Sequence, residues 1–253
     1  MKTYNHYILE NNRSDTKSLT MEEFDYLLNK HCTQFNYKDT PIYRGVPLEG
    51  NFYKIDPKLY TRKSARTGNI FTKIISNSPY WNGIPPREKS LICTFNEKIA
   101  RSYGDDIGLG KEKFFRVIPF NNSNWGICDT WMKMYNGENL MNFNDAVAIF
   151  YKDLFNEEIH EEDYDKLLLD LQKISIEDIK KHIREWESVP WSKILDKLLT
   201  IMLDKSITFD KVILEFLKPN EKIDKVSYSE LINKQTTQLG EIWTDSICLL
   251  KGM

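Results

Sequence analysis

Several side chains in this sequence stand where types and spacing suit chemistry. Ser90 to Gly104, SLICTFNEKIARSYG, reads as a strand through Phe95. Asn96 then offers an N-cap, Ile99, Ala100 and Tyr103 share one helical face, and Gly104 is placed to end the helix. A strand ending in Thr94 beside a helix N-terminus exposes a hydroxyl and free backbone N–H groups to whatever lies above it. The alternative is an ordinary corner with that hydroxyl bonded locally. Arg44 ends a second strand, TPIYRG, in which Ile42 and Arg44 share a face and Tyr43 takes the other. A charge at the end of a buried strand needs a partner, which is either a ligand or one of the chain's own carboxylates. Arg62, Lys63 and Arg66 in TRKSARTGN form a basic cluster suited to phosphate and equally to a solvated turn. Trp81, between turn formers in SPYWNG, is expected with its ring at a surface.

The remainder of the composition narrows the options. At 253 residues the chain is long enough to bury a substantial core, and one compact domain is expected. Thirty-five basic against 37 acidic residues give a net charge of -2, so polyanion binding would need a local patch rather than bulk charge. Cys32, Cys93, Cys128 and Cys248 show no CxxC pair and the four histidines are dispersed, so no metal site is expected and buried reduced thiols are. GLGKEK lacks the spacing and preceding strand of a phosphate-binding loop. With no signal sequence and no apolar run of membrane-spanning length, a soluble, cytoplasmic protein is expected, with no membrane partner.

These residues must be held by a β-rich body. TMEE at 20–23 is a capping box, and Phe24, Leu27, Leu28 and His31 follow at helical spacing, so residues 1–39 are expected to form a helical support. FFRVIPF at 114–120 is a strand, and GEIWTDSICLL at 240–250 is a final strand or strand pair beginning at Glu241. Between them the character turns helical. Apolar stripes run from Ala146 through Leu154, Leu167 to Ile174, Ile176 to Trp186 and Ile194 to Met202, and Ser175–Asp178 forms a second capping box. The organisation expected is α+β: a β-rich core over 40–136 and 219–253, with a helical insertion over 137–218.

Taken together, IYRG, ICTFNEKIA and GEIW resemble the signature of mono-ADP-ribosyltransferases of the Arg…Ser/Thr…Glu type, in particular phage- and bacterium-encoded members. Arg44 looks like the family arginine of the first core strand, Thr94 like the first hydroxyl of the Ser-Thr-Ser strand end, and Glu241 like the family glutamate opening a late strand. The likeness spans 40–120 and 236–250 and leaves out the helical block. It implies a β-sheet core forming an NAD cleft, NAD as cosubstrate, and transfer of ADP-ribose to a macromolecular acceptor, protein or nucleic acid. It also implies a setting of phage–host conflict inside a bacterial host cell.

The resemblance assigns roles as well. Cleavage of the nicotinamide–ribose bond passes through an oxocarbenium-like state that a carboxylate held against the ribose stabilises. Glu241 would hold the ribose 2′-hydroxyl, Arg44 would pair with phosphate or ribose oxygens, and Thr94 would orient Glu241. Phe95, Tyr103 or Trp81 would face the nicotinamide, and Arg62 and Arg66 the diphosphate. Two departures bear on the acceptor. Phe95 and Asn96 replace the second and third polar positions of Ser-Thr-Ser. The position two before Glu241, Glu or Gln in the family, is Leu239, while Gln238 falls on the opposite face of a strand. Arginine modification is thereby disfavoured. Another acceptor, plain NAD hydrolysis, another glycosidase reaction, or a catalytically silent protein that uses its helical block as a partner surface remain the alternatives.

Overall fold

Thr20 caps the first helix as its sequence predicts: its hydroxyl accepts from the Glu23 amide, and the Glu23 carboxylate accepts from the Thr20 amide. That helix, α1 (Met21–His31), belongs to a mixed α+β architecture seen in a computed structural model. The structure describes residues 15–46, 48–61, 72, 76, 78–105, 114–128, 147–149, 151–158, 164–185, 192–218, 223–234 and 241–253. The chain divides into two compact units. One comprises Met1–Arg62, Gly83–Trp131 and Lys222–Met253; the other comprises Lys63–Asn82 and Met132–Glu221. The segment 63–82 therefore groups with the helical block rather than with the strands that flank it.

The first unit holds two antiparallel sheets. Strands β1 (Thr16–Ser18), β2 (Ile42–Gly45), β3 (Phe52–Ile55), β4 (Leu91–Cys93), β5 (Phe114–Pro119), β6 (Asn124–Cys128), β7 (Asp224–Ser227), β8 (Glu241–Thr244) and β9 (Cys248–Gly252) are ordered β1-β3-β9-β5-β2 in one sheet and β4-β8-β6-β7 in the other. The stretch before residue 40, expected to be helical, thus also supplies the edge strand β1, paired with β3. The closing segment is a strand pair, but β8 and β9 lie in different sheets. The chain changes sheets at a corner where Thr244 Oγ1 donates to the Asn124 carbonyl and accepts from the Ser246 amide. Such corners let two sheets share one core. Ile42, Ile55, Phe115, Val117 and Leu250 from one sheet join Leu91, Cys93, Trp125, Ile127 and Ile242 from the other in a single buried cluster.

Helices of the first unit pack against its strands. Phe24 of α1 packs with Ile118 and Leu249. Helix α2 (Glu97–Asp105) sets Ala100 against Tyr43 and Phe114, and it runs one residue past the Gly104 expected to end it. A later helix, Tyr228–Lys234, starts from a capping box at Ser227 and Glu230 and buries Leu231 and Ile232 in the shared core. The second unit contains helices Tyr164–Leu171, Ile176–Glu185, Ser192–Lys205 and Phe209–Phe216. Ser175 and Asp178 cap the second of these reciprocally. Among the described residues no helix is long and apolar enough to cross a membrane.

All four cysteines are free and buried. Burial pushes the thiols of Cys32 and Cys93 up to about 12 from an ordinary 9.0, and raises Cys248 well above that value. Between pH 9 and 12 the unfolded chain releases protons that the folded chain retains, so the unfolded state gains. The stability these thiols contribute is fully present below pH 9 and should fall as the pH rises toward 12. Melting temperatures recorded from pH 8 to 11 check this, and a flat profile would contradict it. A thiol reagent applied at pH 8 should label the cysteines only after unfolding.

Candidate functional site

The two sheets are stitched together at Thr94. Its amide donates to the Tyr43 carbonyl at 3.0 Å, and its carbonyl accepts from the Tyr43 amide at 2.8 Å, an antiparallel bridge between the ends of β2 and β4. Extending that register by one residue sets Arg44 beside Cys93. On the other side of β4, Cys93 pairs with Ile242, and the same extension sets Thr94 opposite Glu241. Directly opposed residues of antiparallel strands share a face. Backbone pairing alone thus brings Arg44, Thr94 and Glu241 to one junction, with Thr94 and Glu241 on one face of the paired strands and Arg44, opposite Cys93, on the other.

The thiol of Cys93 lies between these charges. The buried Cys93 thiol, raised chiefly by desolvation, is drawn down by the charge of Arg44 and pushed further up by that of Glu241. Both charged groups therefore act on the same sulfur.

Each side chain has a local reason for its position. Thr94 is fully buried, and its Oγ1 accepts from the Asn96 amide at 3.1 Å. Asn96 in turn caps α2, its Oδ1 accepting from the amides of Lys98 at 2.9 Å and Ile99 at 3.3 Å. The hydroxyl is thus held by the turn that starts the helix, and its proton is left to donate elsewhere. Glu241 opens β8, where every residue is buried; its backbone pairs with Cys128 of β6, and the residue is 8% exposed. Arg44 is half-buried in β2 opposite Phe115.

The ion pair of Glu241 is made with Arg87. Nη2 lies 2.6 Å from Oε1 and both side chains are buried. Arg87 lies just before β4, and nothing in its local sequence marks it as the partner of a carboxylate in β8. Arg87 sits in a 3-10 turn, Arg87–Lys89, and its guanidinium carbon is 5.5 Å from the centroid of the Trp243 ring. Trp243 is two residues beyond Glu241 on the same face of β8. Its indole N–H donates to the Pro85 carbonyl at 2.8 Å. The ring lies over the backbone of Gly126, its partner in β6. The face of this sheet opposite Ile242 therefore carries, in one buried row, Thr94 opposite Glu241 and then Trp243 over Gly126, with Arg87 bridging Glu241 and Trp243.

The other residues singled out from the sequence stand as follows. Phe95 is partly buried and packs against the shared core. Trp81 is not at a surface: it is 2% exposed, because the 3-10 turn Pro79–Trp81, capped by Ser78, folds its ring inward. It belongs to the second unit. Tyr103 lies in α2, with its side chain outside the described residues. Arg62, Arg66 and Gln238 also lie outside the described residues. Among the described residues no three His, Cys, Asp or Glu side chains are grouped to hold a metal ion.

Compared with models of protein families, with curated proteins and with solved structures, the chain matches none of them.

Proposed function

We propose that this chain is an NAD-cleaving enzyme of the ADP-ribosyltransferase kind, built on a core of two sheets, that passes ADP-ribose to a macromolecular acceptor. The single observation that supports this reading is the junction at Thr94, where pairing registers bring Arg44 and Glu241 to the two sides of β4. In this reaction the nicotinamide C–N bond breaks and its electron pair leaves with the pyridine nitrogen, which loses its positive charge. The ribose carbon takes on oxocarbenium character until an acceptor oxygen or nitrogen, or water, bonds to it and releases a proton. A carboxylate beside the ribose stabilises that growing charge. Glu241 is the group for this task. Arg44 supplies a planar fork of donors for phosphate or ribose oxygens. Thr94 can donate its hydroxyl proton to Glu241 or to the ribose.

Release of nicotinamide from NAD by the full chain, measured chromatographically, tests this reading. Release above the uncatalysed rate is expected. A folded protein that neither binds NAD nor releases nicotinamide would overturn it. Release without any labelled acceptor in a cell extract would narrow the activity to NAD hydrolysis.

A second reading is favoured by the buried Arg87–Glu241 pair, which accounts for Glu241 without catalysis. Under it the protein is a silent binding module that keeps the sheet junction and engages a partner through its helical block. Saturable NAD binding with no nicotinamide release would select this reading over the first.

A further inference from the structure

We propose that Arg87 is a positioning residue for the reaction, one that fixes the Glu241 carboxylate before NAD arrives; this rests on the NAD-cleaving reading above. Stability alone does not call for such a pair. Two charges taken out of water lose hydration that their mutual attraction only about repays, and well-packed apolar residues would serve a fold equally well. The pair also does not stand alone. Arg87 is tied to the strand it serves at both of its ends. Its turn closes through the Lys89 amide on the Pro86 carbonyl at 3.0 Å, and Ser90 Oγ donates to that same carbonyl at 2.7 Å. The preceding carbonyl, that of Pro85, is held by the indole N–H of Trp243. The guanidinium then lies across the Trp243 ring and reaches Glu241 Oε1. One strand residue thus fixes the backbone of the turn, and its neighbour two positions back receives the charge.

The consequence for chemistry is a carboxylate with restricted torsions. A glutamate has three rotatable bonds, and a group that must meet a developing charge is worth most when it needs no reorganisation. Arg87 holds one oxygen, Oε1, at the strand position opposite Thr94. A lysine at position 87 would keep the positive charge but lose the planar fork and the stacking on Trp243.

Steady-state nicotinamide release by the full chain tests this, with wild type, Arg87→Lys and Arg87→Ala each checked for its melting transition. Arg87→Lys should lower kcat about tenfold or more while KM for NAD stays within about twofold, since the interaction acts on the reacting geometry rather than on binding. Arg87→Ala should lose more, and added guanidinium chloride at low millimolar concentration should restore part of kcat without moving the melting temperature. A wild-type kcat in Arg87→Lys, a raised KM with kcat unchanged, or guanidinium rescue that tracks melting temperature alone would overturn the positioning role while leaving the NAD-cleaving reading standing. No release by the wild type would overturn both.

Discussion

Glu241→Gln should abolish most nicotinamide release, lowering kcat by about 10²–10³ with little change in affinity for NAD. The substitution preserves size and a hydrogen-bonding oxygen, so β8 and its pairing with Cys128 and Cys93's neighbour Thr94 should persist. On the NAD-cleaving reading, what it removes is the negative charge that would face a ribose turning cationic. The same change leaves Arg87 buried opposite a neutral amide, so some loss of stability is expected as well. Activity should be read at a temperature where both proteins are folded. Unchanged release would remove Glu241 from the reaction. The test is sharper with Thr94→Val beside it, because Thr94 acts through orientation and its loss should cost less.

Gly126→Ala should be the most damaging single methyl group in the first unit. A Cβ at this position would lie 2.2 Å from Cε2 and 2.4 Å from Cζ2 of Trp243, far inside contact distance. The ring has little room to retreat, since its N–H is bonded to Pro85 and its face is covered by Arg87. Overpacking of this kind costs about 3 kcal/mol or more, which corresponds to a melting temperature lower by roughly 6–12 °C in a protein of this size. The damage should spread to activity, because displacing Trp243 displaces the turn that carries Arg87. Thermal denaturation followed by circular dichroism measures the first effect and nicotinamide release the second. An unshifted melting temperature would mean that Trp243 does not occupy the space over Gly126.

Local signals in the sequence proved readable where the physics is local. The capping boxes at Thr20 and Ser175 each depend on residues three apart, and both form. The Asn96 cap and the strands at Ile42–Gly45, Leu91–Cys93 and Phe114–Pro119 follow from short patterns of the same kind. The Ser227–Glu230 box rests on the same three-residue spacing. Three features were hidden for one shared reason, that their meaning lies in distant partners. NWGIC carries a glycine that reads as a strand breaker, yet Gly126 is where β6 makes room for an indole from β8. DKVS is too polar to announce a strand and forms only because it is an edge, paired to β6 alone. PPREKS reads as a basic loop, and nothing within it shows that Arg87 will be buried against Glu241. Trp81 was misread in the opposite sense, because turn formers around a tryptophan bend the chain without fixing which way the ring points. For the site itself, the order of Arg44, Thr94 and Glu241 was visible in the sequence, whereas their meeting depends on a two-residue bridge between sheets that no local pattern encodes.

The most direct test is a crystal structure of the Glu241→Gln chain soaked with NAD, in which chemistry is slowed and the ligand is retained. Expected is one NAD molecule at the β2–β4–β8 junction, with its nicotinamide ribose within hydrogen-bonding distance of residue 241 and Thr94 and with its phosphate or ribose oxygens on Arg44. NAD bound elsewhere, or a well-ordered junction that stays empty at saturating NAD, would contradict it.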